Sequence, residues 1–380
     1  MIECQKRSIA LDGEYTAAYF NLGNAYRDLG QLEAHNNMGN VLMDLDRFDA
    51  AAACYTKAIS LKPDDPGAHK NLGIINLLLG NFDIGWPEYS WRRLEDDPLL
   101  KVRAYSQPLW DGEDLTGKTI FLYPEQGLGD TIQFVRYLPM VRERGGHVVF
   151  DVPLPMVRLF EDLDGVNVMV KSGVSIPPFD YHAPLLEMPR QFGTTLDTFP
   201  QAAAYLSADK ELVETWAERL GSKQGYRVGL VWAGNPSHFN DRNRSIDPEL
   251  FRPLIEVPGV SAFSLLVGRD GEAARVFGQA ITDLAGGFTD FAETAAAIAN
   301  MDLVISVDTA VVHLAGAQGT PVWTLLPLNP DWRRMLGRDD SPWYSSMRLF
   351  RQEKRMDWQS VLKRVAVKLS EQVRDAGKGR

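Results

Sequence analysis

From about residue 119 onward the apolar positions come in short unbroken runs. Polar or glycine-rich breaks separate them, and several breaks open onto stretches whose apolar residues return every three or four positions. Thr119–Tyr123 is the first run; Gly127, Leu128, Gly129 and Asp130 follow, and Ile132, Val135, Arg136 and Leu138 then fall on one helical segment. Strand, glycine loop and amphipathic helix in that order predict a βα unit. His147–Val152 reads as a second strand, Pro155–Leu163 as a helix closed by Gly165, and Val166–Val170 as a third strand, with Phe179–His182 and Pro184–Leu186 continuing the block. A second block opens at Arg227. Val228–Trp232 is strand-like, Gly234, Asn235 and Pro236 break it, Asp302–Val307 reads as a buried strand, Ala310–Gln318 as a helix and Val322–Leu326 as a further strand. Such alternation predicts parallel sheets covered by helices. From Asp357 on, Trp358, Val361, Leu362, Val365 and Leu369 recur at steps of three and four, which gives a last helix with one apolar face.

The first hundred residues obey a different rule. Asn71-Leu72-Gly73 repeats Asn37-Met38-Gly39 after 34 residues, and each opens a helical pattern that ends near Phe82 or Phe48. With Ala51 and Ala58 in the second helix and Pro63 closing it, the pattern resembles the tetratricopeptide repeat, in which helix pairs bury a shared face only by stacking on neighbours. By that resemblance the segment is a solenoid suited to a protein partner. Upstream, residues 4–23 align with residues 54–73 at an offset of 50, so about half a repeat is missing near residues 31–35. Two first-type helices, around Ala18–Leu29 and Glu33–Leu45, are therefore expected to succeed one another directly. Trp86, Tyr89 and Arg92 or Arg93 lie at helical spacing after the last repeat, an aromatic face expected to dock the repeats onto the next domain.

Composition narrows the possibilities. A chain of 380 residues with 45% hydrophobic and 24% charged content is ordinary for a folded protein of two or three domains. Its formal charge of −10 disfavours broad contact with nucleic acid or anionic membrane. Cys4 and Cys54 have no histidine at ligand spacing, so neither a disulfide framework nor a zinc site is indicated. The N-terminus lacks an apolar signal-like core and no window approaches a membrane span, which leads to the expectation of a cytoplasmic protein.

Candidate chemistry gathers at the breaks. Gly127 and Gly129 permit close backbone approach to a ligand, and Asp130 places a carboxylate at a helix mouth. The same Asp130, three residues before Gln133, also reads as a capping box. Arg242, Asn243, Arg244 and Ser245, behind Asn235, form either a phosphate-binding turn or a solvated loop. At the start of Ala310–Gln318, backbone N–H groups of Thr309 and Ala310 suit an anion, whereas Asp308 suits a helix cap or a sugar hydroxyl. His313, one turn below Thr309, is a core histidine or a ligand contact. His182, after a strand, is read as a structural hydrogen-bonder.

Two Rossmann-like blocks of this kind match the GT-B architecture. Gln126–Pro139 (QGLGDTIQFVRYLP) and Ser306–Trp323 (SVDTAVVHLAGAQGTPVW) resemble the paired motifs of the ADP-heptose:lipopolysaccharide heptosyltransferase family. With the leading repeats and Pro330–Gln352, nearly the whole chain resembles bacterial tetratricopeptide-repeat proteins carrying a heptosyltransferase-like domain; the animal O-GlcNAc transferases share that architecture more distantly. The resemblance implies helical repeats over 1–100, an acceptor-side Rossmann-like domain over 101–210, a donor-side one over 225–350, and a C-terminal helix in 351–380 that crosses back onto residues 115–150. It places Asp130 on the catalytic aspartate and Asp308, Thr309 and Ala310 on a donor-binding Asp-Thr-Gly whose glycine is replaced by Ala310. Arg244 or Arg242 falls in the region of a basic phosphate contact, and Gly127, Gly129, Asn235 and His313 complete the donor site. The implied reaction is inverting transfer from a nucleotide-diphosphate sugar to a glycan or protein hydroxyl, with no cofactor and no metal. The Asp-x-Asp triplets 44–46 and 162–164 stand at helix ends rather than strand turns, consistent with that expectation. A sugar-nucleotide epimerase and a repeat scaffold with a relic sugar domain are the competing classes.

Overall fold

The computed structural model describes residues 31–95, 103, 105–200, 204–222, 225–238, 240–268 and 272–378, and it divides into two compact units. The first unit comprises residues 1–102 together with 193–197 and 329–337. Its described helices are α1 (Gln31–Asp44), α2 (Phe48–Leu61), α3 (Pro66–Leu79) and α4 (Phe82–Tyr89). Asp65 caps α3 by accepting from Ala68 N at 2.9 Å, Pro66 fits the first turn, and Gly80 closes the helix at φ 85°. The repeated small residue has a definite task. A methyl at Gly39 would come within 2.4 Å of the Tyr55 ring, and one at Gly73 within 2.4 Å of the Tyr89 backbone nitrogen, so each glycine admits the next helix. Leu42, Ala51, Tyr55 and Ile75 form the core between them.

The aromatic face after the repeats packs on the two later segments of the same unit. Trp86 meets Trp332 edge-on at 5.4 Å, Tyr89 flanks it at 5.6 Å, and Trp86 Nε1 donates to Thr194 O at 2.7 Å. Asn329 Nδ2 donates to Met43 O at 2.9 Å. The expected helix around Ala18–Leu29 lies outside the described residues; α1 occupies the place of its successor.

The second unit holds two parallel sheets. Strands β1 (Thr119–Tyr123), β2 (His147–Val152), β3 (Val168–Lys171) and β4 (Tyr181–Pro184) run in the order β3-β2-β1-β4. Strands β5 (Tyr226–Val231), β6 (Val260–Ser264), β7 (Thr282–Asp283), β8 (Leu303–Val307), β9 (Val322–Leu326) and β10 (Met347–Arg351) run in the order β10-β9-β8-β5-β6-β7. β1 pairs with β2 on one side and β4 on the other, and β5 with β6 and β8, so the chain reverses its direction of winding at β1 and at β5. Ligands of open parallel sheets bind beyond the carboxyl ends of strands at such switch points. Helices of this unit include α5 (Leu128–Phe134), α6 (Lys210–Leu220), α7 (Phe291–Ala299), α8 (Ala310–Gln318) and α9 (Trp358–Lys378), of which α5 and α8 meet between the sheets.

Two expectations are corrected. Pro155–Leu163 is not a helix but a 3-10 turn at Leu154–Met156 succeeded by further turns, in which Phe160 N bonds Met156 O but Leu163 N turns back to Phe160 O, so no run of helical bonds is sustained. The last helix, α9, does form with the expected buried face, Trp358, Val361, Leu362, Val365 and Leu369. It packs, however, on residues 248–255 and β10 of the second sheet's own layer rather than on 115–150. Gln372 Nε2 donates to Tyr226 Oη at 2.6 Å, and Val373 lies against Gly259. The cause is the short connection 352–357: Gln352 Oε1 accepts from Leu328 N and Met356 N at 3.3 and 3.2 Å, which turns the chain straight back over its own sheet.

Candidate functional site

Three loops leave the carboxyl ends of β1, β5 and β8, the two switch-point strands and a neighbour. The loop after β1 ends at Gly127, the N-cap of α5, whose N–H donates to Asp130 Oδ2 at 2.8 Å. The box is thus shifted from the expected one: Asp130 is the third helical residue and caps Gly127, not an N-cap partnered by Gln133, which is buried, and the Asp130 carboxylate stays partly exposed at the helix mouth. A methyl at Gly127 would come within 3.1 Å of that oxygen, so the glycine also makes room for the carboxylate.

The loop after β8 delivers Thr309 as the N-cap of α8 in extended conformation, its own side chain making no cap hydrogen bond. Thr309 Oγ1 lies instead 3.3 Å from Ser306 Oγ. The loop after β5 supplies Arg244, whose Nη1 donates to Asp308 O at 2.9 Å and whose Nε faces Asp241 Oδ1 at 3.3 Å. Gly234 lies directly under that guanidinium, since a methyl there would be 2.5 Å from Nη2. Gly234 N donates to Ser245 Oγ at 3.0 Å, and Ser245 Oγ in turn donates to Asp241 Oδ1 at 2.9 Å. Arg244 is thus fixed over the start of α8 by a cradle of Gly234, Asp241 and Ser245.

The two lobes of this unit meet where α5 begins and α8 begins. A methyl on Gly129 would lie 3.4 Å from Ala310 Cα and 3.0 Å from His313 Cδ2. Gly129 is consequently a contact residue between lobes, with Asp130 next to it in the chain. The backbone of Ala310 can approach this closely because Gly129 carries no side chain.

Three segments of the chain match models of known families. Residues 269–330, which contain Asp308, Thr309, Ala310 and His313, match the model of glycosyltransferase family 9 (heptosyltransferase), and residues 32–80 and 16–35 match tetratricopeptide-repeat models. The chain carries tetratricopeptide repeats and a glycosyltransferase family 9 domain. Protein FlbA of Caulobacter vibrioides is 30% identical over 95% of this chain, which spans 62% of FlbA's length. The glycosyl transferase family 9 structure from Veillonella parvula superimposes with a TM-score of 0.51 at 12% identity, covering 70% of this chain and 99% of that one, and it shares the fold. The E. coli ADP-heptose lipopolysaccharide heptosyltransferase II structure reaches a TM-score of 0.46 at 13% identity over 67% of this chain and 99% of that one.

Within the α/β unit the expected residues do not all converge. Gly127, Gly129, Asp130, Arg244, Asp308, Thr309, Ala310 and His313 surround the meeting of α5 and α8. Arg242 is exposed and makes no hydrogen bond or ion pair among the described residues, so of the two candidate arginines only Arg244 is built in. Asn235 is exposed too and shapes its own turn, its Oδ1 accepting from Ser237 N at 2.9 Å. His182 is buried, 3.1 Å from Tyr123 Oη and against the Tyr105 ring, a structural position.

Arg136, Trp343 and Tyr344, also at the junction, lie inside the quoted motifs but are given no role there. Arg136 is buried between Tyr205, Trp343 and Tyr344. Burial acts most strongly against its charge, yet Tyr205 and Tyr344 outweigh it and hold the guanidinium above its ordinary pKa. At the second crossing between lobes Arg158 grips Asp290, Nε to Oδ2 at 2.6 Å and Nη2 to Oδ1 at 3.0 Å, and reaches Glu293 Oε1 at 2.9 Å. Asp290 also caps α7. Among the described residues no cluster of three His, Cys, Asp or Glu could hold a metal ion, and no helix is long and apolar enough to cross a membrane. Two surface cavities, of about 390 and 670 Å³, lie elsewhere in the unit: one between the end of α6 and β6, the other between β10 and α9.

Proposed function

We propose that the family 9 domain is an inverting, metal-independent glycosyltransferase that moves a sugar from a nucleotide-diphosphate donor to a hydroxyl of a glycan or protein, and that the helical repeats recruit the acceptor or a partner. The observation that carries this reading is the meeting of Gly129-Asp130 with the start of α8, over which Arg244 is fixed. Asp130 accepts the proton of the acceptor hydroxyl as its oxygen attacks the anomeric carbon. The bond to the diphosphate breaks on the opposite face, its electron pair leaves with the phosphate, and the configuration inverts. The N–H groups at the start of α8 and the Arg244 guanidinium stabilise the charge on the departing nucleoside diphosphate. Because these donors are held before substrate arrives, little reorganisation accompanies the transfer.

The test is a thermal-shift series with ADP, UDP, GDP and CDP. One of them at about 100 times its dissociation constant stabilises the protein by about 2.7 kcal/mol, a rise of several degrees. A flat response to all four overturns the reading in favour of a repeat scaffold.

A further inference from the structure

Behind the Gly129 loop a buried cation is held without any carboxylate among its partners in the described residues. Arg136 Nε donates to Gln133 O at 2.8 Å, Nη1 to Trp343 O at 2.7 Å and Nη2 to Tyr205 Oη at 3.0 Å. Its guanidinium carbon stands 4.7 Å from the centre of the Tyr344 ring. That ring packs against α8 at Gly316, where a methyl would come within 2.6 Å of it, so the absent side chain is what admits Tyr344. Its hydroxyl is 2.9 Å from His313 Nδ1.

The direction of this last hydrogen bond is set by its surroundings. Tyr205 Oη accepts from Arg136 and has its own proton directed to Ile132 O at 2.9 Å, and it stands 3.4 Å from Tyr344 Oη. A cation beside a phenol favours its anionic side of the equilibrium, which makes the hydroxyl a stronger donor and a poorer acceptor. Tyr344 therefore donates, and Nδ1 of His313 accepts. A neutral imidazole that accepts at Nδ1 carries its proton on Nε2. The Nε2 and Cδ2 edge is the one turned to the glycine loop: a methyl on Gly129 would be 3.6 Å from Nε2 and 3.0 Å from Cδ2.

We propose that Tyr344, braced by Arg136, is a positioning residue that fixes His313 in the Nε2–H tautomer, so that the site presents a neutral N–H donor beside Gly129 and Asp130 to an oxygen of the nucleotide diphosphate. This rests on the glycosyltransferase reading for its ligand, and it removes His313 from the possible general bases, leaving that role to Asp130.

The experiment is long-range ¹H–¹⁵N NMR of protein labelled with ¹⁵N-histidine, with His313→Asn identifying the resonances, alongside nucleoside diphosphate titrations with ADP, UDP, GDP and CDP. The wild type shows His313 neutral with the proton on Nε2. Tyr344→Phe shows both tautomers and binds the preferred diphosphate roughly two- to tenfold more weakly, the scale of one hydrogen bond. A proton on Nδ1 in the wild type, or an unaltered tautomer in Tyr344→Phe, overturns the inference. If Tyr344→Phe does not fold, the wild-type spectrum decides alone. An Nε2–H tautomer in a protein that binds none of the four diphosphates upholds the positioning role and sinks the glycosyltransferase reading instead.

Discussion

Gly234→Ala dislodges Arg244 without touching it. The added methyl would stand 2.5 Å from Nη2, 2.8 Å from Cζ and 2.9 Å from Nε, whereas ordinary contact begins at about 3.4 Å, so the guanidinium has to retreat by roughly 1 Å. It is the far end of a flexible side chain and can do so. The retreat breaks the 2.9 Å bond to Asp308 O. A hydrogen bond made by a charged group contributes about 1.5–3 kcal/mol, and here the side chain is only 15% exposed, so a loss near 2 kcal/mol is expected. In a unit of this size that lowers the melting temperature by about 4–8 °C. If Arg244 also meets the diphosphate, the affinity for the stabilising nucleotide falls about tenfold or more. Calorimetric titration of Gly234→Ala, Arg244→Ala and Arg242→Ala makes the comparison, with the first two weakened alike and the third close to wild type. Wild-type affinity in Arg244→Ala removes the arginine from the donor site, and wild-type melting in Gly234→Ala refutes the cradle.

Asp130→Asn keeps an acceptor for the Gly127 N–H but removes the base, so the variant folds, binds donor nucleotide and loses roughly 10²-fold in transfer; near-normal turnover would leave Asp130 only its capping role. Arg158→Ala removes a clamp between lobes whose arginine is 45% exposed, and after allowance for solvent screening it costs about 1 kcal/mol in urea melts. Burial tends to raise the pKa of Asp290, but its bonds to Arg158 and to the α7 N–H groups prevail and hold it below the ordinary carboxylate value. Its contribution is therefore present above the unfolded pKa and is lost as pH falls through the lower folded value, below about pH 4. Arg158→Ala flattens that acid loss, and an unchanged profile refutes the coupling. Gly73→Ala drives a methyl against the Tyr89 backbone, which cannot rotate away as a side chain can, and destabilises the helical unit by about 1–3 kcal/mol; Gly286→Ala, with nothing within 4 Å, is the control, and equal melting of the two would contradict the packing.

Much of the fold was legible because parallel strands bury both faces and read as unbroken apolar runs. Thr119–Tyr123, His147–Val152 and Val322–Leu326 have the bounds the pattern gave. The repeats were legible because Gly39 and Gly73 answer one steric demand 34 residues apart. What escaped depends on distance along the chain. Nothing in Trp343-Tyr344 announces that Arg136, some two hundred residues earlier, has its charge enclosed there. The destination of α9 was missed because an apolar stripe says that a face is covered and not by what; the short turn held by Gln352 decides that. Arg242 and Arg244 are equivalent in a local reading, and only Gly234 and the carbonyl of Asp308 separate them.

The helical unit includes residues 193–197 and 329–337, and this affects when it can finish folding. During synthesis α1–α4 emerge early, but Trp332, against which Trp86 and Tyr89 close, is made more than two hundred residues later. Contacts of such long separation are slow to form, and until then the nascent repeats expose an aromatic face to other chains. A fragment ending after α4 keeps that unfinished surface for good.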